Sequence, residues 1–438
     1  MNNIFATVQR SYKQIINGIG FLPTIISTGL VLFAFALIAI QQTELGTEIL
    51  AALNFIQLQE PDTARALLAA LLAGIISLTV FSFSMVMVVV NQSASNYSPK
   101  VIEGFINKRV NQIILGIYIG TIIFIIIGLS QVRGDENFGE VPHFNLFTSI
   151  ILMVVCIGLF ILFIENISNS VRINNIVESI FLRSRRVLLE NNNYHQEIDP
   201  DNQDWYFYKA DEGGYFQSIA IKRLLKILKS RSLVLKVIPY YGDYLHNEYL
   251  LFCLNKKVDD IKLLNMIRGS FNIFSGENVQ ENYFYGFRQL REVAVKALSP
   301  GINDPGIAII CLDYLSELLA IYMDHETKIS IKGEDGKAII ILKRHSFSTM
   351  INLTLGPIAS YGKKDYLILC HILKVVGNLY LYDKILENKN CIIAHAKSVL
   401  DAGNKGISSA LERACLNDVV KELNKSNYFD LKLLEIEQ

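Results

Sequence analysis

Charge is scarce in this sequence. Asp, Glu, Lys and Arg together make up 19% of 438 residues, acidic and basic residues are equal at 41 each, and mean hydropathy is +0.32. Equal counts leave no global field to gather nucleic acid or an acidic substrate, so no nucleic-acid partner is expected. The chain is too apolar for an ordinary soluble protein and too long for one domain. Six cysteines contain no C-x-x-C pair, and Cys156 lies inside an apolar run, which argues against a disulfide framework or a structural zinc site. The seven histidines are scattered. Only His371 and His395 fall on neighbouring expected helices, a poor metal-ligand set. No Walker A run, G-x-S-x-G or H-E-x-x-H occurs, so no catalytic residue, metal or cofactor is assigned and an enzyme reading lacks support.

What the chain does have is long apolar runs. From Ala64 to Val90 the sole charge is Arg65. A helix of that length rises about 40 Å at about 1.5 Å per residue, more than a hydrocarbon core of about 30 Å, so it must tilt or project. Similar runs put transmembrane spans at 19–40, 64–90, 110–129 and 146–164, within a membrane domain of residues 19–165. Residues 1–18 place Phe5, Val8, Tyr12, Ile15 and Ile16 on one helical face, an interfacial amphipathic helix. Pro99 to Arg109 reads the same way. The loop after the first span carries Glu44, Glu48, Glu60 and Asp62 with no Lys or Arg, whereas Lys100, Lys108 and Arg109 follow the second span. Positive charge marks the cytoplasmic side, so both termini are expected there.

After the fourth span a helical pattern continues to about Leu189, a connecting helix over 166–190 that could transmit movement. Asn191 to Asp204 is polar and Asn/Asp-rich, a domain boundary. Residues 205–345 then alternate short strand and helix patterns, including a basic amphipathic helix over Gln217 to Ser230 and a hairpin over Thr327 to Lys343. Residues 346–438 read as helices. The expected class is an α+β membrane protein: four transmembrane helices, then a mixed α/β cytosolic domain with a small sheet, ending in a helical region.

No Asp, Glu, Lys, Arg or His lies deep in the spans, which weakens a proton relay, voltage sensor or ion-coupled carrier. On the second helix Ala70, Ser77, Ser84 and Asn91 recur every seven residues. Small and hydroxyl residues in such a stripe allow close helix packing. Alternatively, several subunits around an axis would turn Ser77, Ser84 and Asn91 into neutral rings with Phe81 and Val88 as constrictions. In the extramembrane part the most distinctive run is Ala297 to Pro305. Gly301 and the prolines suit a tight interhelical loop, with Asp304 as helix cap and Pro305 at the first helical position. The functional alternative is a polar ligand pocket in which Asn303 and Asp304 face Arg288 and Arg291.

Three stretches carry a family resemblance: Asn91 to Pro99 leading into Arg109 to Gly116, Gly214 to Ile219, and Gly286 to Leu290 running on to Ala297–Pro305. With them the chain resembles a bacterial family of predicted membrane proteins with domain of unknown function 2254. The resemblance implies several spans, a cytosolic domain and no established activity; the expected location is the bacterial cytoplasmic (inner) membrane. The chain departs from it at Glu277-Asn278 and Glu281-Asn282. The expected function is a homo-oligomeric, channel-like protein in the lipid bilayer, passing ions or small solutes along a neutral pathway on the second helix. The alternative is a non-conducting sensor or scaffold whose cytosolic domain binds a ligand or protein partner.

Overall fold

The computed structural model describes residues 20–41, 43, 44, 48, 60–96, 109–132, 142–191, 204–274, 282–324, 328–333, 339–383, 385–425, 429–432, 434 and 435. The expected amphipathic helix at 1–18, all but the last residue of the one at 99–109, the linker at 192–203 and the departures at 277, 278 and 281 lie outside them. Contacts group the chain into two compact units, Met1–Arg172 and Ile173–Gln438.

The first unit holds four long apolar helices, α1 (Phe21–Gln41), α2 (Pro61–Asn96), α3 (Arg109–Gln131) and α4 (His143–Val171). The first four apolar runs are thus helices long enough to cross a membrane. Helix α3 is the central one and packs against the other three. Glycine makes its approach to α1 possible. A Cβ at Gly116 would stand 2.8 Å from Pro23 Cα, and one at Gly120 would stand 3.1 Å from Ser27 Cα. This G-x-x-x-G pair lets two backbones come close, and Ser27 Oγ, which donates at 2.7 Å to Pro23 O, lies 3.3 Å from the Gly116 carbonyl. Deeper in the bundle Tyr118 Oη donates to the Cys156 carbonyl at 3.3 Å, tying α3 to α4.

At Arg172 the backbone turns extended (φ −63°, ψ 119°). The continuous helix expected from the fourth span to about Leu189 is therefore two helices, α4 and α5 (Ile173–Asn191). Helix α5 belongs to the second unit.

In that unit the strands are β1 (Tyr206–Lys209), β2 (Gly214–Ile219), β3 (Val234–Val237), β4 (Tyr244–Leu245), β5 (Leu250–Leu254), β6 (Phe271–Phe274), β7 (Lys328–Lys332) and β8 (Ile339–Lys343). The helices are α6 (Ile221–Lys229), α7 (Ile261–Arg268), α8 (Tyr283–Ala297), α9 (Pro305–Met323), α10 (Phe347–Tyr361), α11 (Tyr366–Tyr382), α12 (Leu386–Gly406) and α13 (Ala410–Lys425). The strands form two sheets rather than one small one: β1-β5-β3-β8-β7 and β4-β2-β6. All pairs are antiparallel except β3 with β8, where Val234 stands opposite Ile339. Both sheets share one apolar core with α6 and α7. Its centre is a run of rings in which Tyr208 stacks on Phe252 at 5.2 Å and Phe252 on Phe271 at 5.6 Å, the last contact joining β5 of one sheet to β6 of the other. The hairpin expected over Thr327 to Lys343 is the β7–β8 pair.

Helix α9 is apolar and long enough to span a bilayer. It packs instead on α5, α8, α10 and α11, with Leu312, Leu315, Leu318 and Leu319 wholly buried. A helix apolar nearly all round belongs either in lipid or in a protein core, and here other helices supply the apolar surroundings. Phe181 stacks on Tyr314 at 4.5 Å and Arg185 pairs with Glu317 at 3.0 Å, fixing α5 to it.

Candidate functional site

The Ala297–Pro305 run is a tight link between α8 and α9, held by its own backbone. Asp304 N–H donates to the Ala297 carbonyl at 2.8 Å, and the Asn303 and Ile302 amides both reach the Ser299 carbonyl, at 2.9 and 3.0 Å. Asp304 Oδ1 accepts from the Ile307 amide at 3.2 Å and Pro305 takes the first helical turn. Asp304 therefore caps α9. The left-handed residue of the loop is Asn303, with φ 49°. Gly301, expected to supply the turn, does not take a positive φ, and a Cβ there would meet nothing within 4 Å.

Arg288 and Arg291 sit nine and six residues before the end of α8, about 13 and 9 Å along its axis at about 1.5 Å per residue. Helical side chains lean toward the N-terminus, away from this loop. Arg288 Nε pairs with Glu292 Oε1 at 3.0 Å. Arg291 Nη1 donates to the Leu353 carbonyl of α10 at 3.2 Å, for which the sequence offers a reason. Pro357 lies inside α10, four residues beyond Leu353, and a proline has no N–H to satisfy that carbonyl. Arg291 takes the vacated acceptor. The geometry thus pairs Arg291 with α10 and leaves Asn303 and Asp304 to shape the loop.

Beside this contact a surface groove of about 420 Å³ opens between α8 and α10, lined by Arg291, Glu292, Lys296, Ser299, Pro357 and Tyr361 together with Val295. Of the expected ligand residues it contains Arg291, and from the motif loop it takes Ser299, whose Oγ donates to the Lys296 carbonyl at 2.6 Å. Two cations, a carboxylate, a hydroxyl and a ring suit a small polar or anionic ligand, or a short peptide. Glu292, Lys296, Pro357 and Tyr361 were not singled out in the sequence. The one available signal was the i, i+4 spacing that puts Glu292 and Lys296 on the face of Arg288.

In the membrane unit, Ser77, Phe81, Ser84, Val88 and Asn91 are all exposed on the outside of the four-helix bundle. Among the described side chains of α2 the buried ones are Ala64, Leu68, Ile75 and Ser82. Ser77 Oγ donates back to the Ala73 carbonyl at 2.8 Å, and Phe81 meets Phe160 of α4 edge-on at 5.8 Å. Among the described residues the stripe thus lies mostly outside the packing face of α2, Phe81 alone meeting a ring of α4. Gly74 does face α4, where an added Cβ would lie 2.9 Å from Met153 Cε. Among the described residues no group of three His, Cys, Asp or Glu could hold a metal ion. His371 lies 2.6 Å from Asp313, while His395 Nδ1 lies 3.3 Å from Asn352 Oδ1.

The family model described as predicted membrane protein (DUF2254) matches residues 17–378. The chain belongs to this family. The matched region begins just before α1 and ends within α11, so it holds the four spans, both sheets and the α8–α9 loop. Two curated relatives, uncharacterized proteins of Mycobacterium bovis and Mycobacterium tuberculosis, are each 23% identical over 337 residues, covering 72% of this chain. The chain spans 64% of the length of each. No solved structure matches it. This DUF2254 chain is thus a multi-pass membrane protein with an α+β unit following its four spans.

Proposed function

We propose that this DUF2254 protein works as a homo-oligomer in the bacterial inner membrane, with its termini and α+β unit in the cytoplasm. In this reading the α2 helices of neighbouring copies face a shared axis and leave a neutral, channel-like path for ions or small solutes. The outward stripe of Ser77, Phe81, Ser84, Val88 and Asn91 carries the reading, because among the described residues all five are exposed. Neutral polar residues on an outer helix face suit contact with other copies, or rings around an axis. One copy encloses too little space for a pore. The α+β unit would then govern assembly or gating.

Single-channel recording from purified protein in planar bilayers tests this. Discrete openings are expected, with unitary current altered in Ser84→Phe once both proteins are shown to assemble alike. Silence from folded oligomers across voltage and tension would sink it.

The groove between α8 and α10 favours a second reading, a non-conducting sensor or scaffold that binds a small anion or peptide beside Arg291 and Lys296. Ligand-induced thermal stabilisation that disappears in Lys296→Glu, in a protein without channel activity, would favour it.

A further inference from the structure

The 41 basic and 41 acidic residues balance over the whole chain, yet not locally. Residues 221–232, spanning α6 and the turn after it, contain Lys222, Arg223, Lys226, Lys229 and Arg231 and no Asp or Glu. The helix is sharply two-sided. Leu224 and Leu228 are wholly buried in the core shared by the two sheets, whereas Lys222, Arg223, Lys226 and Lys229 are all exposed. Helix α7 packs beside α6 and sinks Leu263, Leu264 and Ile267 into the same core, so the free sides of both helices form one outer layer. The Arg223 guanidinium reaches across to Gly269 at the end of α7.

Helix α7 adds Lys262 and two exposed apolar side chains, Ile261 at 71% and Met266 at 42%. The acidic residues at its start are already engaged, Asp260 with Arg231 at 2.9 Å and Asp259 with Lys257 at 3.4 Å. Among the described residues of these two helices, what remains outward is cationic with apolar points between.

We infer that the outer layer of α6 and α7 is a docking surface for anionic phospholipid membrane, with Lys222, Arg223 and Lys226 meeting headgroups and Ile261 and Met266 entering the acyl boundary. Two physical points favour this occupant over nucleic acid. Exposed Ile and Met have no role against phosphodiester, but at a bilayer they add apolar burial to electrostatic attraction. The chain is also tethered to a bilayer by its four spans, so lipid is a surface present at high local concentration.

The test uses full-length protein in phosphatidylcholine nanodiscs, mixed with separate sedimentable vesicles of phosphatidylcholine alone or with phosphatidylglycerol at about one lipid in three. Discs are expected to pellet with the anionic vesicles only, and to be released as salt is raised from about 50 to about 500 mM. The triple variant Lys222→Gln, Arg223→Gln, Lys226→Gln alters exposed side chains alone and should weaken pelleting on the order of a hundredfold. Lys222→Arg with Lys226→Arg should retain it. Failure of the native protein to pellet, or equal pelleting of the triple variant, overturns the assignment. Tighter binding to a single-stranded oligonucleotide than to the anionic vesicles at the same salt overturns it in favour of nucleic acid.

Discussion

At the scale of single residues, the reach of Arg291 to Leu353 shows how one substitution position can depend on another far along the chain. Arg291→Ala should lower stability by about 1 kcal/mol in the native background. In a Pro357→Ala background the restored amide can satisfy Leu353 itself, so the loss should shrink. A double-mutant cycle by denaturant unfolding that finds no coupling would contradict this account. Gly116→Val should be costlier, about 1–3 kcal/mol, because its nearest neighbour is the Pro23 backbone, which cannot swing aside; unfolding in detergent would register it. His395 offers a pH test. Burial lowers its pKa from 6.5 to about 4, and among the described residues its Nε2 has no hydrogen-bond partner. The unfolded chain therefore binds the extra proton between those values. Stability is full above about pH 6.5 and falls by up to about 3 kcal/mol as pH drops through 4. His395→Gln should flatten that part of the stability profile, and an unchanged slope would count against it. The cap at Asp304 was legible because Asp before Pro is a local signal. The left-handed Asn303 was not, since a neighbouring glycine was the better local candidate and the loop's hydrogen bonds decided otherwise.

At the scale of elements, composition read the four spans well and would have read α9 as a fifth. Both kinds of helix avoid water; only the neighbours differ, and neighbours are set by the tertiary fold. A reporter fused within 192–203 and another after Gln438 should therefore lie on the same side of the membrane. Opposite sides would mean that α9 crosses. The sheets were less legible for the same reason. Hairpins such as β7–β8 leave a local trace, whereas the parallel β3–β8 contact joins residues 234 and 339 and leaves none. The break at Arg172 was hidden as well, because the helical spacing of apolar residues runs through it and one extended residue hardly disturbs the pattern.

At the scale of the whole molecule, the outward stripe on α2 and the basic outer layer of α6 and α7 are both surfaces exposed among the described residues, and each is proposed to meet a different neighbour. The stripe's proposal depends on copy number: single-molecule subunit counting in native membrane extracts should return more than one copy per complex, and a uniform monomer would remove the channel reading. The β3–β8 pairing also bears on how the chain is made. Strand β3 leaves the ribosome about a hundred residues before its parallel partner, a wait of roughly 5–20 s at about 5–20 residues per second. During that interval one side of β3 offers unpaired amides and carbonyls beside the apolar side chains that later fill the core. Newborn chains arrested between residues 260 and 330 should thus be the form most dependent on a holding chaperone, and release beyond Lys343 should end that dependence.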